Sequence, residues 1–443
     1  MKILILSVDP WLKSNSFGNT YSNIFGKIAN IEIAHVYLLD SLPNKENNVS
    51  RYYQISESKI IKSALRPFGN DKGVGYEVFL ADEHRRRIPN SNNAPIRKSV
   101  YRRLLDFGKK HHWKTMFLAR EMAWKLGKVN YEGLYKFIDD FQPELFVLAY
   151  YNVYNCNQIA SRIKQQFNIP MVMIMMMDHY SLKRVSWNPI FWADRFAKRA
   201  IIRKLVKQSE MLFVISKMLK DEMERDLHIP CRVLYKIPDE NRAFYPYKMH
   251  ESSLRFLFTG NIYANRWKSL AMLVKELKEQ KIGRLDIYTA TPISPSMNKA
   301  LHVEGVSEIH APVSQDEVIK LQNGADVLVH TEAFDKFNKY LVRCAISTKI
   351  MDYLSVGRCI LAIGPDDISS IEYLKDNDLA LIASSESELH DVIHQIQKKR
   401  EIVAQYAEKS FTYSQKQLNP KEIRQKLYDD LQQIIDNYSR LTT

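Results

Sequence analysis

Twice along this chain, short apolar runs alternate with stretches whose apolar residues recur every three or four positions. A short apolar run suits one buried strand, and a 3.6-residue period describes a helix with one face on a core. Strands joined by such helices lie parallel, because a helical crossover returns the chain to the same end of the sheet. In the first half Leu145 to Ala149, "IPMVMIMMMD" ending at Asp178, "MLFVIS" and "CRVLYKI" read as strands. Helices fall near 155–167 and over "KMLKDEMERDL", which Ser216 caps. In the second half the strands are "LRFLFTG", "RLDIYTA", "ADVLVH", the apolar run after Gly357, and "LALIAS". Between them lie the helices "WKSLAMLVKELKEQ", "SQDEVIKLQNG" with a Ser314–Glu317 capping box, and "ESELHDVIHQIQKKR". At 443 residues the chain is too long for one core. The expected fold is α/β, with two doubly wound domains facing each other across a cleft. An aperiodic segment with two prolines, near 237–252, separates domains at 1–245 and 253–405, and helices fill 406–443.

The chain carries 64 Lys and Arg against 50 Asp and Glu, a formal charge of +14. That balance favours an anionic partner. The excess is uneven: residues 81–128 hold 13 basic against 4 acidic residues, and 183–207 hold 8 against 1. Trp113, Phe117 and Trp124 interleave the first stretch, and Trp187, Phe191, Trp192 and Phe196 the second. Basic residues beside aromatics suit an anionic membrane surface. They also suit nucleic acid, but no nucleic-acid module is recognisable and no such partner is expected. Cys156, Cys231, Cys344 and Cys359 have no metal-ligand spacing and read as buried thiols of a reducing compartment. "MKILILSVDP" reads as a first strand and not a secretory segment, and no apolar run is long enough to span a bilayer. The expected location is cytoplasmic, peripheral on the inner face of the membrane.

"CAISTKIMDYLSVGRCILAIGP" (344–365) carries the chemistry. In a doubly wound domain the start of a helix faces the ligand, and its free N–H groups and positive dipole end suit phosphate. Ser347 and Thr348 add hydroxyls and Lys349 a cation. Asp352 is acceptor-only when ionised and suits a ribose diol. Together these groups describe a nucleoside diphosphate lying along a helix start. A plain cap with solvated Lys349 and Asp352 would use the same residues. "TGNIYANRWKSL" adds a second phosphate-competent loop, with Gly260, Asn261, Arg266 and Lys268.

"RCAISTKIMDYLSVGRCILAIGP" resembles the donor-binding segment of bacterial group 1 glycosyltransferases, the retaining family with the GT-B architecture. "FTGNIYANRWKSL" resembles its glycine loop, and "MIMMMDHY" the segment ending a strand of its acceptor domain; the likeness runs from about 140 to 400. The resemblance implies an amino-terminal acceptor domain, a carboxyl-terminal nucleotide-sugar domain and a last helix that crosses back to the first. It assigns Gly260, Asn261, Arg266, Ser347, Thr348 and Lys349 to the diphosphate and Asp352 to the ribose, with Arg343 near the donor. Gly18, in "SNSFGNTYSNIF", falls in the family's loop beside the diphosphate, although an ordinary strand–helix turn reads the same way. Asp178 and His179 would be the catalytic pair at the transferred sugar or acceptor hydroxyl; a structural salt bridge or cap is the competing role. Many members carry two glutamates with seven residues between them. The second falls at Asp352 and the first at Cys344, which leaves Glu332 or Asp335 to take over or the branch to do without.

The implied reaction moves a sugar, with retention, from a nucleotide diphosphate donor such as a UDP-sugar to a glycan or lipid-linked glycan. Capsule or lipopolysaccharide assembly is the matching process. Cations and helix ends would hold the leaving diphosphate with no metal and no cofactor, the nucleotide-sugar being the co-substrate. A nucleotide-sugar epimerase of the same fold and a non-catalytic basic binding protein are the alternatives.

Overall fold

A computed structural model of the chain describes residues 1–12, 15–46, 48–65, 73–80, 114–238, 246–248 and 253–442. Residues 81–113 of the basic stretch 81–128, Trp113 among them, and most of the expected linker lie outside them. Among the described residues fourteen strands form two sheets. The first contains β1 (Lys2–Ser7), β2 (Glu32–Tyr37), β3 (Val49–Gln54), β4 (Tyr76–Val78), β5 (Leu145–Ala149), β6 (Met171–Met175), β7 (Met211–Val214) and β8 (Cys231–Val233). Its order is β4-β3-β2-β1-β5-β6-β7-β8. β1 pairs in parallel with β2 and β5, and β4 is antiparallel to β3. The second contains β9 (Leu254–Thr259), β10 (Gly283–Tyr288), β11 (Ser307–His310), β12 (Val327–Thr331), β13 (Cys359–Ile363) and β14 (Leu381–Ala383), ordered β11-β10-β9-β12-β13-β14 and parallel throughout.

Both sheets share one topology, in which the chain works outward from β1 or β9 and then restarts on that strand's other side. The central strands β1, β5, β6, β12 and β13 are apolar and buried because helices cover both faces. The core of the second sheet is built from alternate residues such as Phe256, Phe258, Leu285 and Ile287, with Leu270, Leu273 and Leu277 of the helix Arg266–Gln280 packed on it. The polar punctuation also acts as its chemistry dictates. Ser216 accepts from Leu219 N and Ser314 from Glu317 N, capping their helices, and Gly357 closes Thr348–Val356 in the left-handed conformation.

The chain folds as two compact units. One comprises Met1–Met175, Phe196–Leu212 and Leu427–Thr443; the other comprises Met176–Arg195 and Phe213–Lys426. The strands of the first sheet lie within 1–245 and those of the second within 253–405, while the compact units place 176–195 and 213–238 in the second unit. Within the first unit, Tyr438 donates to Asn168 Oδ1 at 2.7 Å and accepts from Lys164 Nζ at 3.0 Å, which anchors the last helical segment. All four cysteines are free and buried. Among the described residues no helix is long and apolar enough to cross a membrane.

Candidate functional site

In the second sheet the order reverses between β9 and β12. Such a switch point opens a crevice beyond the carboxyl ends of the strands. The loop after β9, the loop after β12 and the start of the helix Thr348–Val356 meet there. Lys349 Nζ donates to Thr259 O at 2.9 Å and lies 4.4 Å from the centre of the Phe258 ring. Gly260 has φ +130°, and a Cβ on it would stand 2.5 Å from Lys349 Nζ. Glycine is therefore required twice, by the backbone angle and by the lysine crossing it. Burial pulls the Lys349 ammonium down to about 8; Arg266 acts in the same direction, while Glu332 and Asp352 oppose it.

Arg266 grips Glu332 with two bonds, Nε to Oε2 at 3.0 Å and Nη2 to Oε1 at 3.2 Å. Burial raises the Glu332 carboxyl, against the pull of Arg266 and Lys349. His330 lies 3.6 Å from Glu332 and is held well below its usual range by burial, Lys349 and Arg266; its Nε2 has no hydrogen-bond partner among the described residues. The loop between Gly260 and Arg266 carries two consecutive left-handed residues, Ala264 (φ 57°) and Asn265 (φ 62°). An alanine in that region costs on the order of 1 kcal/mol and persists where surrounding bonds impose it. One such bond runs from Asn265 Nδ2 to Asp335 Oδ2 at 2.9 Å. Asn261 on this loop is exposed.

The helix start behaves unlike the plain cap that its sequence also allowed. Ser347 occupies the N-cap position, yet its hydroxyl makes no capping bond. Thr348 is exposed. Asp352 departs from its expected ribose role in this state: both its oxygens accept from Lys236 Nζ, each at 2.9 Å. Local patterning gives no signal for Lys236, which is buried just after β8, near the end of the run "CRVLYKI".

Asp178, His179 and Arg343 form a different constellation. β6 stops at Met175, so Asp178 lies in the following turn and not at the strand end. It accepts from Tyr180 N at 3.0 Å, Ser181 N at 2.8 Å and the Ser181 hydroxyl. Arg195 and Arg343 approach it at 3.8 and 3.6 Å. Burial raises the Asp178 carboxyl, but the Ser181 bonds, Arg195 and the Tyr180 amide outweigh it and hold it below the usual range. His179 beside it is half-buried. Arg343 Nη2 bonds Glu222 at 2.7 Å, and Lys183 bonds the other Glu222 oxygen at 2.6 Å. Ser216 Oγ donates to Cys344 O at 2.7 Å, fixing the loop that leads to Ser347. The Cys344 thiol, where the family's first glutamate would fall, is pushed up to about 12 by burial. Of the two proposed substitutes, Glu332 is held by Arg266, and Asp335 caps the helix Lys336–Val342.

Gly18 belongs to the first unit and sits inside the helix Ser16–Ile24. A Cβ there would fall 2.1 Å from Leu12 O, so close backbone packing accounts for the glycine.

No protein-family model and no curated sequence matches the chain. Solved structures do match along nearly its whole length. A sucrose-phosphate synthase from Thermosynechococcus elongatus is 12% identical over 98% of this chain and 99% of that one, with a TM-score of 0.61. Anabaena HepE, solved with UDP, is 10% identical over 98% and 100%, at 0.60. WaaG, a glycosyltransferase involved in lipopolysaccharide biosynthesis, is 10% identical over 97% and 99%, at 0.57. The chain has the GT-B glycosyltransferase fold. In this GT-B chain two sheets of mainly parallel strands follow each other, and Gly260, Arg266 and Lys349 lie at the reversal point of the second.

Proposed function

We propose that this chain is a glycosyltransferase that binds a UDP-sugar or related nucleotide diphosphate donor on the second sheet and passes the sugar to a hydroxyl of a glycan or lipid-linked glycan. The observation that carries this reading is the uncapped helix start at Ser347, with the Lys349 ammonium threaded past Gly260 beside it. UDP-bound HepE and the other transferases of like fold support it. Lys349, Arg266 and the helix N–H groups would take up the charge of the departing diphosphate, the preorganised stabilisation that such a transfer needs. Side chains then supply the neutralisation, which is the metal-independent and cofactor-free route; retention at the anomeric carbon follows the family resemblance. Asp352 reaches the ribose by exchanging Lys236 for the diol, and Asp178 with His179 addresses the sugar or acceptor. A thermal-shift screen of UDP, GDP and ADP and their sugars tests donor binding, since a ligand at ~100 times its dissociation constant stabilises by about 2.7 kcal/mol. Product analysis then separates a transferase, which releases nucleotide diphosphate, from an epimerase, which returns an altered nucleotide sugar.

Lys349 also gives the reading a pH signature. The unfolded chain keeps this proton to about 10.5 and the folded chain releases it at about 8. Its burial thus costs stability below pH 8, and the cost fades as pH rises from 8 to 10.5. A diphosphate against the amine favours the charged form and reverses the shift. UDP binding is therefore expected to take up protons between pH 8 and 9, seen by calorimetry in buffers of different ionisation enthalpy. Proton-neutral binding there would show that the phosphates do not reach Lys349.

Peripheral attachment to the inner face of the membrane belongs to the same proposal. Leu182, Val185, Trp187 and Ile190 are exposed along one short segment, with Arg184 among them stacked 4.6 Å from the centre of the Phe337 ring. Trp124 of the other basic stretch is instead buried. Aromatic and aliphatic tips beside cations suit the headgroup region. Flotation with anionic vesicles at low salt is expected to recover the protein, and Trp187→Ala to recover less. Equal recovery with neutral vesicles would remove the electrostatic part of the idea.

A further inference from the structure

The first sheet has its own reversal point, between β1 and β5, and the residues leaving those strands are chemically unusual. Asp9, after β1, hydrogen-bonds the Tyr151 hydroxyl, after β5. Residues 152–157 then carry three asparagines into the helix Tyr154–Gln166, whose N-cap, Val153, offers no side-chain bond. Asn155 and Asn157 are 5% and 2% exposed. Asn157 Nδ2 donates to Tyr151 O at 3.1 Å, which brings its amide back to the β5 loop. Yet Asn152 Oδ1, Asn155 Nδ2 and Asn157 Oδ1 are buried with no hydrogen-bond partner among the described residues. A folded chain leaves few such atoms, and each orphan costs about 1–3 kcal/mol, so three within six residues require a reason. Tyr151 and Asn152 are only half-buried, so the cluster reaches solvent at its edge.

We propose that this turn is a recognition site for a neutral, hydroxyl-bearing saccharide, and that it sets the acceptor class of the transferase proposed above, on which this inference rests. The orphaned atoms decide the chemistry. Two are acceptors and one is a donor, so the complementary group must both give and take hydrogen bonds, as a sugar hydroxyl does. The carboxylate of a sugar acid, set against these atoms, would leave both carbonyl oxygens unpaired and face Asp9. The ammonium of an amino sugar, set there, would leave the Asn155 amide without an acceptor. Binding to unpaired buried groups is selective, because a ligand lacking the right atoms leaves them unpaired.

The test uses the full chain and saturation-transfer NMR with three probes: methyl glucopyranoside, glucuronate and glucosamine. The neutral glycoside is expected to show transfer, and the charged probes roughly tenfold less. Asn155→Asp, which turns the donor into an acceptor at nearly constant volume, is expected to weaken the glycoside roughly tenfold. Tyr151→Phe, at the half-buried edge, serves as the second variant should Asn155→Asp fold poorly, and is expected to weaken it in the same direction. UDP titration in the same samples separates the two proposals. UDP binding with no saccharide signal, equal response to charged and neutral probes, or full glycoside binding by both variants overturns the saccharide site and leaves the donor reading standing. Loss of UDP binding in the unaltered chain overturns the donor reading instead.

Discussion

Lys349→Ala is expected to weaken UDP by roughly ten- to a hundred-fold, the equivalent of ~1.5–3 kcal/mol for a lost charge-assisted contact. Uridine, which has no phosphate, should bind as before. The expectation follows from position: the amine sits at the head of a helix with no side-chain cap, and it donates to Thr259 O. A fold defect would not mimic it, because removing a cation whose proton is already loosened by burial relieves a cost. Gly260→Ala should reproduce the loss from the other side, since its methyl would displace the amine and strain the backbone. Calorimetric titration of both ligands into both variants checks this. UDP binding by Lys349→Ala at parental strength would reduce the helix start to a structural feature and remove the donor-site assignment.

The larger effect on stability is expected from Glu222→Ala. Glu222 and Arg343 side chains are 8% and 6% exposed, and they share one 2.7 Å bond. Burial lowers the Arg343 guanidinium, but its bond to Glu222, with Cys344 and Asp178 nearby, raises it overall. Removing the acid leaves a buried cation whose remaining carboxylate neighbour among the described residues is Asp178 at 3.6 Å, at a cost of about 3–5 kcal/mol. For a unit of this size the melting temperature should fall on the order of 10 °C. Arg343→Met added to Glu222→Leu should restore most of the loss, because an apolar pair needs no partner charge. A melting temperature within a degree or two of the parent for Glu222→Ala would mean that water, not protein, surrounds the pair.

Much of this architecture is legible in the sequence because its signals are local. Five of the six strands of the second sheet show as short apolar runs, and the bonds of Ser216 and Ser314 span three residues; the edge strand β11, "SEIH", has no such run and gives no signal. Signals weaken where the element is short: Lys336–Val342 and Ser369–Asp376 have seven and eight residues, too few for a period to declare itself. They fail where partners are distant. Nothing near Asp352 announces Lys236, and nothing near Arg343 announces Glu222. The strand predicted to reach Asp178 stops at Met175 because Asp178 binds the amides of its own turn, a competition that an apolar run does not reveal. Likewise Trp124 and Trp187 look equivalent among basic residues, yet one is core and the other fully exposed.

The crossing of Lys349 over Gly260 changes how such sequences should be weighed. A glycine ending the first strand of the domain and a lysine opening a later helix look like two separate features of the sequence. Here one is the mould of the other: with the amine in that path, the opposing position has no room for a side chain. The two residues are a single observation spelled at two places. Independent support for a donor site must come from positions that this contact does not already dictate, such as Arg266 and the hydroxyl of Ser347.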